Sequence, residues 1–299
     1  MVSRSSHKAF MVAFFALAAF SVAAAEDPAP EQEASPPPQL HYQTGEIVLP
    51  NKVATLKLNS EYRYLDPKET EKLLVAWGNP PEASTGTEGA VVPTAVDPFE
   101  DAGWAVVLSY TEDGHVDDSD ARKIDYKKLM DDMKEGTRED NSDREKAGYG
   151  KVELIGWATE PRYDSTTHKM YWAKELDFGG TQHTLNYDVR VLGREGVLSM
   201  NAVAGMSQLR DIQRDMTSLL SQADFNQGYR YEEYNKSTDK LAAYGLGALV
   251  AGGVAAKLGF FAKIFAVLVA AKKLVFAGVI ALAAAIGKWF KGRNASPAG

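Results

Sequence analysis

The chain has 299 residues, a formal net charge of −7 and no cysteine. The absence of cysteine excludes a disulfide framework, a thiolate nucleophile, a zinc ribbon, an iron–sulfur cluster and a lipid anchor attached to cysteine. Its 45% hydrophobic and 24% charged residues are ordinary for a globular protein and argue against wholesale disorder.

Charge is distributed unevenly along the chain. All 40 acidic residues lie between Glu26 and Lys240, where 24 basic residues leave a net charge of −16. Residues 241–299 contain seven basic residues and no acidic one. Lys and Arg are retained on the cytoplasmic side of a membrane, whereas an exported domain can be acidic. The pattern therefore predicts a protein laid across a membrane, and the acidic middle argues against nucleic acid as a partner.

Residues 1–25 have the three-part pattern of a secretory signal peptide. A basic start precedes an apolar run from Ala9 to Ala24, which ends in small residues before Glu26. We expect cleavage after this segment, and an uncleaved N-terminal anchor is the alternative. Residues 26–44 hold five prolines and scattered acids, a composition that predicts an extended, Pro-rich acidic spacer.

Residues 45–238 predict one exported α+β domain with a mostly antiparallel sheet and flanking helices. The predicted strands are 46–49, 53–58, 103–110, 151–157, 169–176, 184–192 and 196–203. The predicted helices are 66–77 with Asp66 as its cap, 124–146 with a break near Gly136, and one that begins at Gly205. Residues 79–101 are rich in Pro, Gly and Thr and predict a long loop.

The densest group of metal-capable side chains follows the predicted strand 103–110. It consists of Asp113, Asp117, Asp118 and Asp120, with His115 among them. The glycine of this loop comes too early for an EF-hand and no Glu occupies the twelfth position, which excludes that type of calcium site. A looser divalent-cation site is one interpretation, and an acidic, solvated turn is the other. We expect no cofactor.

Asp164 and His168 lie in a segment between two predicted strands. They could act as an acid–base pair with Ser165 or Thr167 as nucleophile, which would make the protein a membrane-tethered hydrolase. A hairpin turn capped by Asp164 explains the same residues without catalysis. The motifs of phosphate-binding loops, serine hydrolases, zinc proteases and dinucleotide enzymes are missing from the sequence, which favours a non-enzymatic role.

Residues 239–290 predict a C-terminal membrane anchor of one or two helices. Leu241–Ala262 is long enough to cross about 30 Å of hydrocarbon. In one topology Leu274–Phe290 crosses back as a second helix. In the other the chain crosses once, and Leu258–Phe290 lies on the inner leaflet as basic amphipathic helices. Residues 291–299 form a short basic tail in both.

Ala248, Gly252 and Ala256 recur every four residues in the first predicted membrane helix. A face of small residues lets another helix approach closely, so a protein partner or a second copy of the chain could bind there. The alternative is that small residues are simply common in membrane-spanning helices.

A set of short segments spread over roughly residues 40–290 resembles a known family. The segments are Asp113-Gly114-x-Val116-x-Asp118, Ile124-Asp125, Gly156-Trp157-Ala158, Pro161-x-Tyr163-Asp164, His168-Lys169, Trp172-Ala173, Leu185-Asn186-Tyr187, Val191-Leu192-Gly193-Arg194-x-Gly196-Val197-Leu198, Arg230-Tyr231 and Asp239-Lys240-x-Ala242-Ala243-Tyr244-Gly245. The family they resemble is DUF2167, a bacterial family of uncharacterised membrane-anchored proteins. His115 departs from it, since the family leads us to expect an aromatic residue such as Tyr, and this weakens the metal interpretation of that loop. The resemblance implies a bacterial envelope setting and supplies no catalytic residues.

Together these features predict a protein of the bacterial inner (cytoplasmic) membrane with the lipid bilayer as a partner. We expect its main domain on the periplasmic side, acting as a non-enzymatic binding or interaction module. The membrane-tethered hydrolase is the alternative function.

Overall fold

The structure, a computed structural model, describes residues 36–251 except positions 80, 101, 147, 149 and 181. The predicted signal peptide, most of the predicted spacer and the hydrophobic stretch beyond residue 251 lie outside these residues. Within the described part of the chain, no helix combines the length and the apolar character needed to cross a membrane.

The described chain alternates short strands with a few helices. The strands are β1 (Glu46–Val48), β2 (Ala54–Lys57), β3 (Tyr62–Leu65), β4 (Thr87–Pro93), β5 (Ala105–Thr111), β6 (Glu153–Asp164), β7 (Lys169–Asp177), β8 (Thr184–Leu192), β9 (Val197–Gly205) and β10 (Ala223–Phe225). The α-helices are α1 (Pro67–Ala76), α2 (Tyr126–Lys146), α3 (Leu209–Leu220) and α4 (Leu246–Val250).

Two antiparallel sheets form the framework. The larger one has seven strands in the order β3-β4-β5-β9-β8-β7-β6, and the smaller one has the order β1-β2-β10. Strands β6 to β9 form consecutive antiparallel pairs, and β5 lies against β9 along its whole length. The described domain is therefore α+β with mostly antiparallel strands, which confirms that part of the predicted fold class.

The first face of the large sheet is apolar and carries the main core. Its side chains, such as Leu108, Val189 and Met200, pack against the small sheet and against α3. Helix α3 places its buried residues, including Ile212 and Met216, on one side, as their helical spacing predicts. Burial of each such side chain stabilises the fold by about 1.5–3 kcal/mol.

The second face of the large sheet is covered by helices near its two edges. Helix α1 begins at its cap Asp66, whose Oδ1 accepts a hydrogen bond from the Glu69 backbone N at 2.9 Å, and its Leu73 packs with Leu65 of β3. Near the other edge, Met130 of α2 packs with Leu176 of β7. The central strands β5, β9 and β8 lie between these two regions, and the short helix α4 packs on this face at Leu192 of β8 and Val197 of β9.

The chain beyond Thr238 remains part of the domain, which we expected to end there. Leu241 pairs with His115, and the short helix α4 follows. Leu246 of α4 packs with Val116 and other apolar side chains, and Val250 packs on Trp172. Residues 241–250 are therefore in contact with protein, although we expected the membrane helix to begin at Leu241.

Two local predictions are wrong. The predicted loop 79–101 contains β4, an inner strand of the large sheet. Its sequence signal is weak, because the apolar run that follows Gly89 is only three residues long and ends at Pro93. Gly89 has φ 113, and a Cβ there would lie 2.4 Å from the Leu65 carbonyl oxygen, so glycine is required. Helix α2 runs through Gly136 without a break, since a surface glycine costs only about 1 kcal/mol of helix stability.

Candidate binding site

The two residues of the predicted acid–base pair have different partners. Asp164 accepts hydrogen bonds from the Thr166 backbone N at 2.9 Å and from Thr167 Oγ1 at 3.0 Å, so it caps the turn between β6 and β7. His168 Nδ1 instead lies 3.1 Å from the Tyr163 hydroxyl. In the described chain no hydrogen bond or ion pair joins Asp164 to His168. Asp164 and His168 thus do not pair with each other.

The carboxylate beside His168 belongs to Asp118. The Tyr163 hydroxyl donates to Asp118 Oδ2 at 2.7 Å, and the same oxygen lies 3.8 Å from His168 Nδ1. Because the hydroxyl hydrogen goes to Asp118, the Nδ1–H of His168 donates to the Tyr163 oxygen. Burial and the hydrogen bond to Asp118 raise the pKa of Tyr163, so its hydroxyl stays protonated.

Four rings form a continuous column, which we call the ring stack: Tyr234, His115, Tyr231 and His168. Successive ring centroids are 3.8, 4.2 and 4.0 Å apart. His115 is 6% exposed, and burial lowers the pKa of its imidazole, so the ring is neutral at neutral pH. The position where the family resemblance leads to an aromatic residue is thus filled by a histidine that serves as a flat ring between two tyrosines.

The four aspartates of the metal candidate serve four separate contacts. Their partners are the Tyr244 hydroxyl for Asp113 (2.8 Å), the Ser119 backbone N for Asp117 (2.9 Å), the Tyr163 hydroxyl for Asp118 (2.7 Å) and the Leu246 backbone N for Asp120 (3.1 Å). Among the residues that the structure describes, no three His, Asp or Glu side chains converge as a metal site would require. Through Asp113 and Asp120, the loop instead holds Tyr244 and Leu246 against the domain.

Only one member of the predicted small-residue face lies in the described chain. Ala248 is half-buried on α4, whereas Gly252 and Ala256 lie beyond residue 251. Helix α4 buries Leu246, Leu249 and Val250 against the domain.

An unexpected row of polar side chains crosses the centre of the second sheet face. Thr87, Ser109, Ser199 and Arg190 are register partners on β4, β5, β9 and β8. The neighbouring row contains Asn201 and Asp188, and Lys174 lies one row further along, on β7 opposite Asn186. We call these seven residues, Thr87, Ser109, Lys174, Asp188, Arg190, Ser199 and Asn201, the polar floor.

Asp188 lies at the centre of the polar floor. Asp188 is 2% exposed, and its carboxylate lies 3.2 Å from Lys174 Nζ and 3.0 Å from Arg190 Nη1. Asn201 Nδ2 also donates to it at 3.0 Å. Burial acts to raise the pKa of Asp188, but the charges of Lys174 and Arg190 outweigh it and hold the pKa below its usual range. The carboxylate is thus ionised, with two cations around it.

The polar floor also carries polar atoms without partners. Thr87 Oγ1, Asn201 Oδ1 and the adjoining Trp172 Nε1 are buried and have no hydrogen-bond partner in the described chain. Ser109 and Ser199 are half-buried residues, and their hydroxyls make no hydrogen bond among the described residues. Unpaired buried polar atoms cost free energy, and few are found in native proteins. Their concentration on one sheet face identifies the polar floor as the candidate binding site.

The sequence contains a signal for the polar floor. Strand β8 alternates strictly between polar residues at 184, 186, 188 and 190 and apolar residues at 185, 187, 189 and 191. Such alternation predicts that one face of the strand is polar. A polar face on a strand near the middle of a sheet, with helices on either side, indicates a polar groove. The position of β8 in the sheet, however, is known only from the strand pairing.

Comparison with known proteins gives a family and distant structural similarities. Residues 41–283 match the family described as protein of unknown function (DUF2167). No curated protein matches the chain. Among solved structures, the cyanobacterial PsbP protein (CyanoP) from Synechocystis sp. PCC 6803 has a TM-score of 0.35 at 10% identity, covering 66% of this chain and all of that one. The Ran-binding protein Mog1p of Saccharomyces cerevisiae has a TM-score of 0.31 at 11% identity, covering 62% of this chain and 96% of its own.

Proposed function

We propose that this chain, which belongs to the DUF2167 family, is a membrane-anchored protein of the bacterial envelope whose exported domain is a non-enzymatic binding module on the periplasmic side. The observation that carries the proposal is the polar floor, a set of partly unpaired polar side chains on the central strands. Local rules of folding are broken chiefly at functional sites. The side chains that could have performed catalysis, Asp164 and His168, are instead held by turn and ring contacts.

The proposed anchor comes directly after the domain in the sequence. The described chain ends at Ala251, just after α4, and the next 36 residues are hydrophobic apart from four lysines. Since residues 241–250 lie on the domain, we place the start of the membrane segment after residue 251 rather than at Leu241. The acidic domain and the basic C-terminal stretch support an outward-facing domain.

Cysteine labelling tests the proposed sidedness without interference, because the chain has no native cysteine. Ser119→Cys, at an exposed site on the domain, should react with a membrane-impermeant maleimide in cells whose outer membrane alone has been opened. Reaction only after the inner membrane is broken would refute the periplasmic placement. In the same cells, Ser296→Cys separates the two topologies, since it reacts from outside only if the chain crosses twice.

Site-specific photo-crosslinking tests the proposed binding role. A photoreactive phenylalanine analogue placed at Ser199, on the polar floor, should capture an envelope component covalently in living cells. The same group at Ser142, exposed on α2, should not capture that component and serves as the control. Equal capture at both positions, or none at Ser199, would contradict a binding site on the polar floor.

A further inference from the structure

We propose that the polar floor binds an anionic oxygen group, a carboxylate or a phosphate, through Arg190, Ser199 and Ser109. This inference rests on the proposed binding function and specifies the chemistry of the ligand.

The three contacting side chains lie in one line. Arg190 is the register partner of Ser199, and Ser199 is the register partner of Ser109. Directly opposed residues on neighbouring strands have Cβ atoms about 4.5–5.5 Å apart on the same face. A guanidinium and two hydroxyls at this spacing can surround the oxygens of one small anionic group.

The charges of the site favour an anion. Two cationic side chains, Lys174 and Arg190, lie beside Asp188, the one carboxylate of the polar floor. The side chains of the two cations retain 12% and 15% exposure, so they are partly accessible from solvent.

The hydrogen-bonding groups of the site are mainly donors. Arg190 uses Nη1 for Asp188 and the Val189 carbonyl, and its Nε and Nη2 hydrogens make no hydrogen bond within the described chain. The Ser199 and Ser109 hydroxyls can donate, and so can the unpaired Trp172 Nε1. A matching ligand must be rich in acceptors, and carboxylates and phosphates are acceptor-rich groups that pair well with arginine.

Trp172 provides a direct readout of binding. The Arg190 guanidinium carbon lies 4.9 Å from the Trp172 ring centroid, so an anion that moves or neutralises Arg190 changes the environment of the indole N–H. The experiment uses the full chain in detergent with ¹⁵N-labelled tryptophan, and Trp172→Phe identifies the Trp172 indole signal. Inorganic phosphate, acetate and glucose are titrated separately at constant ionic strength.

We expect a saturable shift of the Trp172 signal with phosphate or acetate, and the stronger of the two identifies the source of the anionic group. The double variant Ser109→Ala/Ser199→Ala should weaken this binding about a hundredfold, since each of the two lost hydrogen bonds to a charged group is worth about one order of magnitude. Arg190→Lys keeps the positive charge but loses the planar guanidinium that can donate two parallel hydrogen bonds, so it should weaken anion binding as well. Ser142→Ala should change nothing.

Two results would overturn the inference. If glucose alone gives a saturable, serine-dependent shift, the ligand is not anionic, although the binding role stands. If no probe gives a saturable shift while the crosslinker at Ser199 still captures a component, the anionic chemistry is again wrong and the binding role survives. Failure of both the titration and the crosslinking removes the proposed function itself.

Discussion

Arg194 and Asp239 form a two-pronged ion pair that joins the turn after β8 to the segment that leads into α4. Arg194 Nε lies 2.7 Å from Asp239 Oδ2, and Arg194 Nη2 lies 2.8 Å from Asp239 Oδ1. The Arg194 guanidinium holds the pKa of Asp239 well below its usual range. The ion pair holds the chain on the domain two residues before Leu241, where the hydrophobic sequence begins.

Arg194→Lys should loosen this attachment, because lysine keeps the charge but cannot bind both carboxylate oxygens. We expect faster hydrogen exchange at the backbone amides of residues 239–250 and little change in the rest of the domain. Arg214→Lys is the matched control, since Arg214 also pairs with aspartates but lies exposed on α3. Equal exchange in the wild type and Arg194→Lys would show that the ion pair does not hold the segment.

His115→Phe should make folding less sensitive to acid. Burial lowers the pKa of His115 from 6.5, so protonation favours the unfolded state, and stability is lost as pH falls below about 6.5. Phenylalanine keeps a flat ring between Tyr231 and Tyr234 and cannot be protonated. We expect a smaller drop in the urea midpoint of the variant between pH ~7.5 and ~5.5 than in the wild type.

His41→Gln controls for loss of a histidine in general, since the His41 side chain is 74% exposed. If His115→Phe retains the full pH dependence of the wild type, the buried imidazole does not contribute to acid sensitivity.

Tyr163→Phe should destabilise the domain by about 1 kcal/mol, because it removes the hydroxyl that bonds Asp118 and faces His168, two side chains that are only partly exposed. Urea denaturation measures the loss. Tyr234→Phe is the control, since Tyr234 contributes its ring to the stack and its hydroxyl makes no hydrogen bond in the described chain. Equal stability of the two variants would mean that the Asp118 contact contributes little.

Patterns confined to a few adjacent residues were predictable from the sequence. Asp66 and Pro67 mark the start of α1, and the spacing of Ile212 and Met216 marks the buried side of α3. The predicted turn at Asp164 also takes the form of an Asp-capped hairpin. These features depend on contacts between residues close in the chain, so local chemistry specifies them.

Features that depend on distant contacts were not predictable in the same way. Asp118 meets His168 only because the loop after β5 folds against the β6–β7 turn, 45 or more residues further along. Likewise, the polar floor requires β5, β9 and β8 to be neighbours, and their order in the sheet differs from their order in the chain. The hydrophobicity of residues 241–250 is the same whether protein or lipid surrounds them. Composition alone therefore could not distinguish a segment packed on the domain from the start of a membrane helix.

The unfolding free energy of the triple variant Thr87→Val/Ser109→Ala/Ser199→Ala tests most directly whether the polar floor exists for binding. If it does, replacement of the buried, unpaired Thr87 hydroxyl by a methyl group removes a desolvation cost, and the two serine replacements break no hydrogen bond within the described chain. The variant should therefore unfold in urea at an equal or higher midpoint with an unchanged slope. A loss of about 1 kcal/mol or more per replaced hydroxyl would show that these groups stabilise the fold, and would contradict the account.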